Sequence, residues 1–142
     1  MLPRFQHILV PLDFTAKNGA ALEIAFELAS QNRASVTLLH VIERIENLPE
    51  EELESFYARI TSRAETELEA RAQRFAAAGI HVDRKILYGK PLAEIVRDAR
   101  ERKVDLIVMS SHKVDPAAAA SSLGTLSYQV SILCDCPVLL VK

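Results

Sequence analysis

Five short apolar runs, each separated from the next by a segment of helical periodicity, constrain this chain more than any other feature of its sequence. "HILVPLD" (His7–Asp13) is a compact run closed by Pro11 and Asp13, and reads as a buried strand. "SVTLLHVI" (Ser35–Ile42) is apolar and β-branched, a second strand. "IHVDRKILY" (Ile80–Tyr88) alternates like a strand covered more on one face than the other. "DLIVMS" (Asp105–Ser110) does not alternate, which suits a central strand, and "CPVLLVK" (Cys136–Lys142) supplies a fifth.

The intervening segments carry the other period. Ala21, Ile24, Ala25 and Leu28 share one face of a helix over Asn18–Ser30. Pro49 suits the first turn of a second helix, with Leu53, Phe56, Tyr57, Ile60, Ala64, Leu68 and Phe75 on one face and Gly79 as its stop. Leu92, Ile95, Val96 and Ala99 mark a third helix, and Leu126, Val130 and Leu133 a fourth. The order is βαβαβαβαβ in one domain over residues 1–142: an α/β fold whose parallel sheet has helices on both faces. Periodicity leaves the order of the strands open.

Composition narrows the function. A formal charge of −2 and a pI near 6.1 argue against nucleic acid, which calls for a basic face. The nine acidic and four basic residues between Glu43 and Arg71 read as a solvated helix face. No apolar run approaches the roughly 20 residues that span a bilayer, and "MLPRFQHILVPLDF" lacks a signal-like apolar region, so no membrane association is expected. Cys134 and Cys136, one residue apart, make a poor structural disulfide, which fits a reducing compartment; the cytoplasm is the expected location.

In an open parallel sheet, ligands collect beyond the carboxyl ends of the strands, where the winding reverses. "PLDFT", "HVIER", "YGKP" and the sixteen residues Ser110–Thr125 fall on that edge. Neither a G-x-x-x-x-G-K-[ST] loop nor a G-x-G-x-x-G fingerprint occurs. Gly124-Thr125 stands at a helix start. Free N–H groups there suit an anion, or the pair forms an ordinary first turn capped by Thr125 or Ser122. Within the loop, Ala117 to Ala120 have the composition of an extra helical turn. His40 reads as a partly buried histidine with a hydrogen-bond partner. His7, His81 and His112 lack metal-ligand spacing, and the two thiols lack the further ligands a metal needs. No nucleophile with its base and no carboxylate pair is evident.

These residues carry a resemblance along the whole chain. "ILVPLDFT", "TLLHVIE", "GKPLAEIVRDARERKVDLIVMSSH" and "CPVLLVK" resemble the universal stress protein family, small Rossmann-like α/β domains that often bind ATP or AMP. The resemblance implies a sheet of order 3-2-1-4-5 and a homodimer through the last strand, Pro137 to Val141. It also implies a stress-response role as a nucleotide sensor or regulatory module, with Mg²⁺ accompanying ATP. Onto the family's Gly-2x-Gly-9x-Gly-Ser/Thr motif fall Ser110, Lys113 and Gly124-Thr125. Two of its three glycines are thus replaced, and ten residues rather than nine separate Lys113 from Gly124.

By the same resemblance Pro11 and Asp13 lie beside the adenosine, with Asp13 accepting from ribose hydroxyls. Val41 meets the adenine edge, Met109 packs on the base, and Leu126 follows the phosphate loop. Each has a plainer alternative: Asp13 closing a turn, Val41 an ordinary strand residue, Met109 a core residue. Lys113 either meets a phosphate as a point charge or fills the pocket. Two further functions stay open: a dimeric scaffold acting through protein contacts without nucleotide, and a weak ATPase with slow, incidental hydrolysis.

Overall fold

A parallel sheet covered on both faces needs strands that are apolar on both sides, and the strands here are built that way. The computed structural model describes residues 4–44, 47, 49–113, 115–118 and 124–142. In chain order these form β1 (His7–Pro11), α1 (Asn18–Asn32), β2 (Ser35–Ile42), α2 (Glu50–Ala77), β3 (Val82–Tyr88), α3 (Pro91–Glu101), β4 (Leu106–Ser110), α4 (Leu126–Leu133) and β5 (Val138–Val141). The strands make one sheet of order β3-β2-β1-β4-β5, parallel throughout. The expected fold class and strand order are both what is found.

Alternate residues of each strand serve different layers. Ile8, Val10, Val36, Leu38, Leu106 and Val108 pack beneath α1 and α2, against Ala21, Ala25, Ala29, Leu68 and Phe75. Leu9, Leu39, Ile107 and Met109 face the other way, against Ile95 and Ala99 of α3 and Val130 of α4. Three alanines at i, i+4 and i+8 bring α1 close to the sheet, since a methyl group is all that separates backbone from strand.

Several boundaries are refined. β1 stops at Pro11, and β4 starts at Leu106 because Asp105 does other work: its carboxylate accepts from Gln6 N (2.8 Å) and His7 N (3.0 Å), satisfying the start of β1. Helix α1 runs on to Asn32 and is closed by Arg33 in a left-handed conformation (φ 53°), whose N–H donates to Ala29 O. Helix α2, at about 1.5 Å per residue, is longer than any strand it covers. Its second half buries Ala64, Leu68, Ala72 and Phe75, whereas Leu53, Phe56, Tyr57 and Ile60 are only half-buried. In α4 the inward stripe runs through Ser127 and Val130; Leu133, expected on that face, is 52% exposed. The expected extra turn is a 3-10 turn at Pro116–Ala118, whose Ala117 N–H donates to Asp115 Oδ1 (3.0 Å); Ala119 and Ala120 lie outside the described residues.

One charge pair ties β3 to α3. Lys85 Nζ bonds Asp98 Oδ1, and Asp98 is 2% exposed with its Oδ2 unpartnered among the described residues. Removing one member of a buried pair strands the other's charge. Lys85→Met is therefore expected to lower the unfolding free energy in urea by about 3 kcal/mol. The double variant Lys85→Met/Asp98→Leu should recover most of that loss, and a double variant no more stable than the single one would show that the charge is not what matters.

Candidate functional site

The strand order reverses between β1 and β4, and a cavity of about 260 Å³ opens at their carboxyl ends. Seven of the nine residues singled out from the sequence line it: Pro11, Asp13, Val41, Met109, Ser110, Thr125 and Leu126. Lys113 and Gly124 do not, and both are exposed.

The wall that follows β1 is a strained turn. Phe14 has φ 65°, a conformation that costs a bulky residue about 1–3 kcal/mol. Its ring lies against His40 (centroids 4.3 Å apart), with the Arg71 guanidinium 5.0 Å from its centroid. The backbone is held by Asn18, whose Oδ1 accepts from Asp13 N (3.1 Å) and Phe14 N (2.8 Å). His40 Nδ1 bonds Leu12 O at 2.7 Å, the partly buried and satisfied state expected of it.

Asp13 closes a turn. Its Oδ1 accepts from Thr15 N (2.9 Å) and Thr15 Oγ1 (2.7 Å). Partial burial works to raise the carboxyl's pKa, but the hydrogen bonds from Thr15, with a contribution from Asn18, outweigh it and hold the group below the usual carboxylate value. Asp13 is thus anionic at neutral pH, and a carboxylate has acceptor capacity beyond two bonds to one oxygen. Turn closure and acceptance from a ligand are compatible roles for one side chain.

The opposite wall offers hydroxyls. Thr125 occupies the position before α4 and its carbonyl accepts Gln129 N–H (3.1 Å), yet its side chain makes no capping bond. Thr125 Oγ1 is buried and has no partner among the described residues. Ser122, the other candidate cap, lies outside them. Ser111 and Ser127 are buried with their Oγ atoms 3.0 Å apart. Leu39, Ile95 and Met109 supply apolar lining, so Met109 is a core residue that also faces the cavity. Lys17 and Asp13 are the only fully charged side chains among the described lining residues.

Lys17, Asn18, Ser111 and Ser127 were not singled out from the sequence. Asn18 carried a signal, since a short amide side chain at a helix start is a capping residue, but here it caps a turn before the helix. The serines had no signal of their own. Elsewhere, Cys134 and Cys136 are free thiols. Burial, together with Cys136 and Asp135 nearby, pushes the Cys134 thiol up to about 11.

The site therefore combines an apolar lining, a carboxylate at one rim and an unpartnered hydroxyl at a helix N-terminus. A family model described as the universal stress protein family matches residues 4–142. The chain is 28% identical to universal stress protein YxiE of Bacillus subtilis, covering 97% of this chain and 99% of that one. Universal stress protein UspA from Lactobacillus plantarum superimposes with a TM-score of 0.84 at 24% identity, covering 98% and 99% of the two chains. A universal stress protein solved in complex with cAMP does so with a TM-score of 0.76 at 21% identity, covering 97% of each. With a fold, a reversal-point cavity and a family match that spans nearly every residue, this chain belongs to the universal stress protein family.

Proposed function

We propose that the protein is a single-domain stress-response module that binds an adenine nucleotide at the β1/β4 cavity and works as a sensor or regulator. The observation that carries the reading is the buried Thr125 hydroxyl, unpartnered at the N-terminus of α4 and lining the same cavity as Asp13. A buried hydroxyl without a partner costs about 1–3 kcal/mol, which a phosphate oxygen accepting from it would recover. The helix N-terminus adds partial positive charge at the same place, and Lys17, elsewhere in the lining, a full one.

In this reading the adenine rests on Leu39, Ile95 and Met109 with the Val41 backbone at its edge. The ribose hydroxyls donate to Asp13, and the phosphate meets Thr125 and Leu126 at the start of α4. Pro11 holds the end of β1 against the sugar. The likeness to the cAMP complex adds support at the level of the fold. The lining favours binding over turnover: among its described residues no hydroxyl is hydrogen-bonded to a histidine, and Asp13 supplies the carboxylate.

Calorimetric titration of nucleotide-free protein with AMP, and with ATP and Mg²⁺, tests the proposal. Saturable binding is expected, weakened at least tenfold by Asp13→Ala and by Thr125→Val. The contribution of Asp13, read as the ratio of parent to Asp13→Ala affinity, should stay level from pH 8 to pH 5. Because the Asp13 pKa is lowered, protonation weakens binding only as the pH falls through and below the ordinary carboxylate range. Absence of binding, or binding untouched by both substitutions, would favour the protein-contact scaffold instead.

We further propose that β5 pairs with its copy about a twofold axis through Pro137–Val141. β5 is an edge strand, and Leu139 is 38% exposed on it; Ile132 and Leu133 of the preceding helix are 71% and 52% exposed. An apolar edge with unused backbone groups invites association. Sedimentation velocity at micromolar concentration should show a dimer that Leu139→Asp converts to a folded monomer; a monomeric parent protein would refute the pairing.

A further inference from the structure

In sheets of this type the ligand enters the crevice where the strand order reverses. Here that crevice is bridged. Asn18 Nδ2 donates to Ser110 Oγ (3.0 Å), and Ser110 Oγ donates to Lys17 O (3.2 Å). A single hydroxyl on the last residue of β4 thus ties that strand to the start of α1. Asn18 is not free to swing aside. It is 2% exposed, and its Oδ1 holds the Asp13 and Phe14 N–H groups. The bridge therefore stands on the same carboxamide that keeps the Asp13 turn in shape, and opening it for a ligand would disturb that turn.

Charge points the same way. Lys17 and Asp13 cancel, so the described lining has no net formal charge when its histidines are neutral. Lys113, the cation the loop has to offer, is exposed and does not line the cavity. One phosphate group carries a charge of about −1.5 to −2, which Lys17 and the α4 N-terminus can meet. Each further phosphate adds negative charge with no further cation in the described lining to receive it, and the Ser110 bridge spans the crevice at the end of β4.

We infer that this site selects an adenine nucleoside carrying one phosphate over one carrying three, with Ser110 and Asn18 as the selecting pair. The inference rests on the adenine-nucleotide reading above. Adenosine, AMP and ATP are titrated calorimetrically in EDTA, where no metal ion offsets the added phosphates, into the parent protein, Ser110→Gly and Ser110→Ala, each first shown to unfold cooperatively. The parent protein should bind AMP at least tenfold more tightly than ATP. Ser110→Gly, which removes the bridge, should raise the ratio of ATP to AMP affinity about fivefold or more. Ser110→Ala, which keeps the Cβ, should fall between. Equal or tighter binding of ATP by the parent protein overturns the inference but leaves the nucleotide site standing. So does a Ser110→Gly variant that loses AMP and ATP in equal measure, since that is what a purely structural serine would do. Failure of all three ligands to bind the parent protein overturns the nucleotide reading itself, and the selectivity with it.

Discussion

The burial of β1 on both faces is the constraint on which everything else depends. Ile8, Leu9 and Val10 are fully buried, and each such side chain contributes about 1.5–3 kcal/mol when taken from water. A strand apolar on both sides must lie inside a sheet that is itself covered on both sides. β1 accordingly sits third of five, between β2 and β4. Its two neighbours are reached by crossovers on opposite faces, which is why the winding reverses beside it. The cavity is the geometric consequence of that reversal, before any side chain gives it chemistry.

The chemistry is concentrated in one turn and one helix start. The Asp13-Phe14 turn is strained at Phe14, and three features resist the strain: the Asn18 carboxamide, the His40 ring and the Arg71 guanidinium. Strain of this kind persists only where its surroundings over-determine it. The result is a carboxylate oriented by Thr15 and already ionised at neutral pH, set across the cavity from a buried threonine hydroxyl that lacks a partner. One wall is tied together by hydrogen bonds and keeps a carboxylate acceptor. The other has an unmet hydrogen-bonding group, and that asymmetry favours a ligand that brings an acceptor.

Much of this was legible in the sequence, though not all for one reason. The second strand was read with its observed limits because β-branched residues and a following break in pattern bound it on both sides. From sequence β1 reads two residues too long because Leu12 is as apolar as its neighbours, and only pairing shows that the ladder ends at Pro11. The apolar face of α4 was misplaced at Leu133, since apolar counting cannot see that Ser127 turns inward to meet Ser111 sixteen residues earlier. Lys113 and Gly124 were aligned to a motif by counting along the chain, yet neither reaches the cavity. Counting gives a position in a loop but not the direction in which its side chain leaves it.

By itself the sequence determined the layered α/β class, the number of strands and the carboxyl edge on which a ligand would sit, because those follow from the period of apolar residues. Resemblance to a known family added the strand order and seven of the residues that line the cavity. Only the tertiary structure decided how the site is closed. Asn18 meets Ser110 across 92 residues of chain, Thr125 is left without a partner, and Asp13 has its hydrogen bonds balanced against its burial. Hydrogen bonding is directional and short-ranged, so which polar groups meet depends on where the backbone carries them, and periodicity holds no record of that.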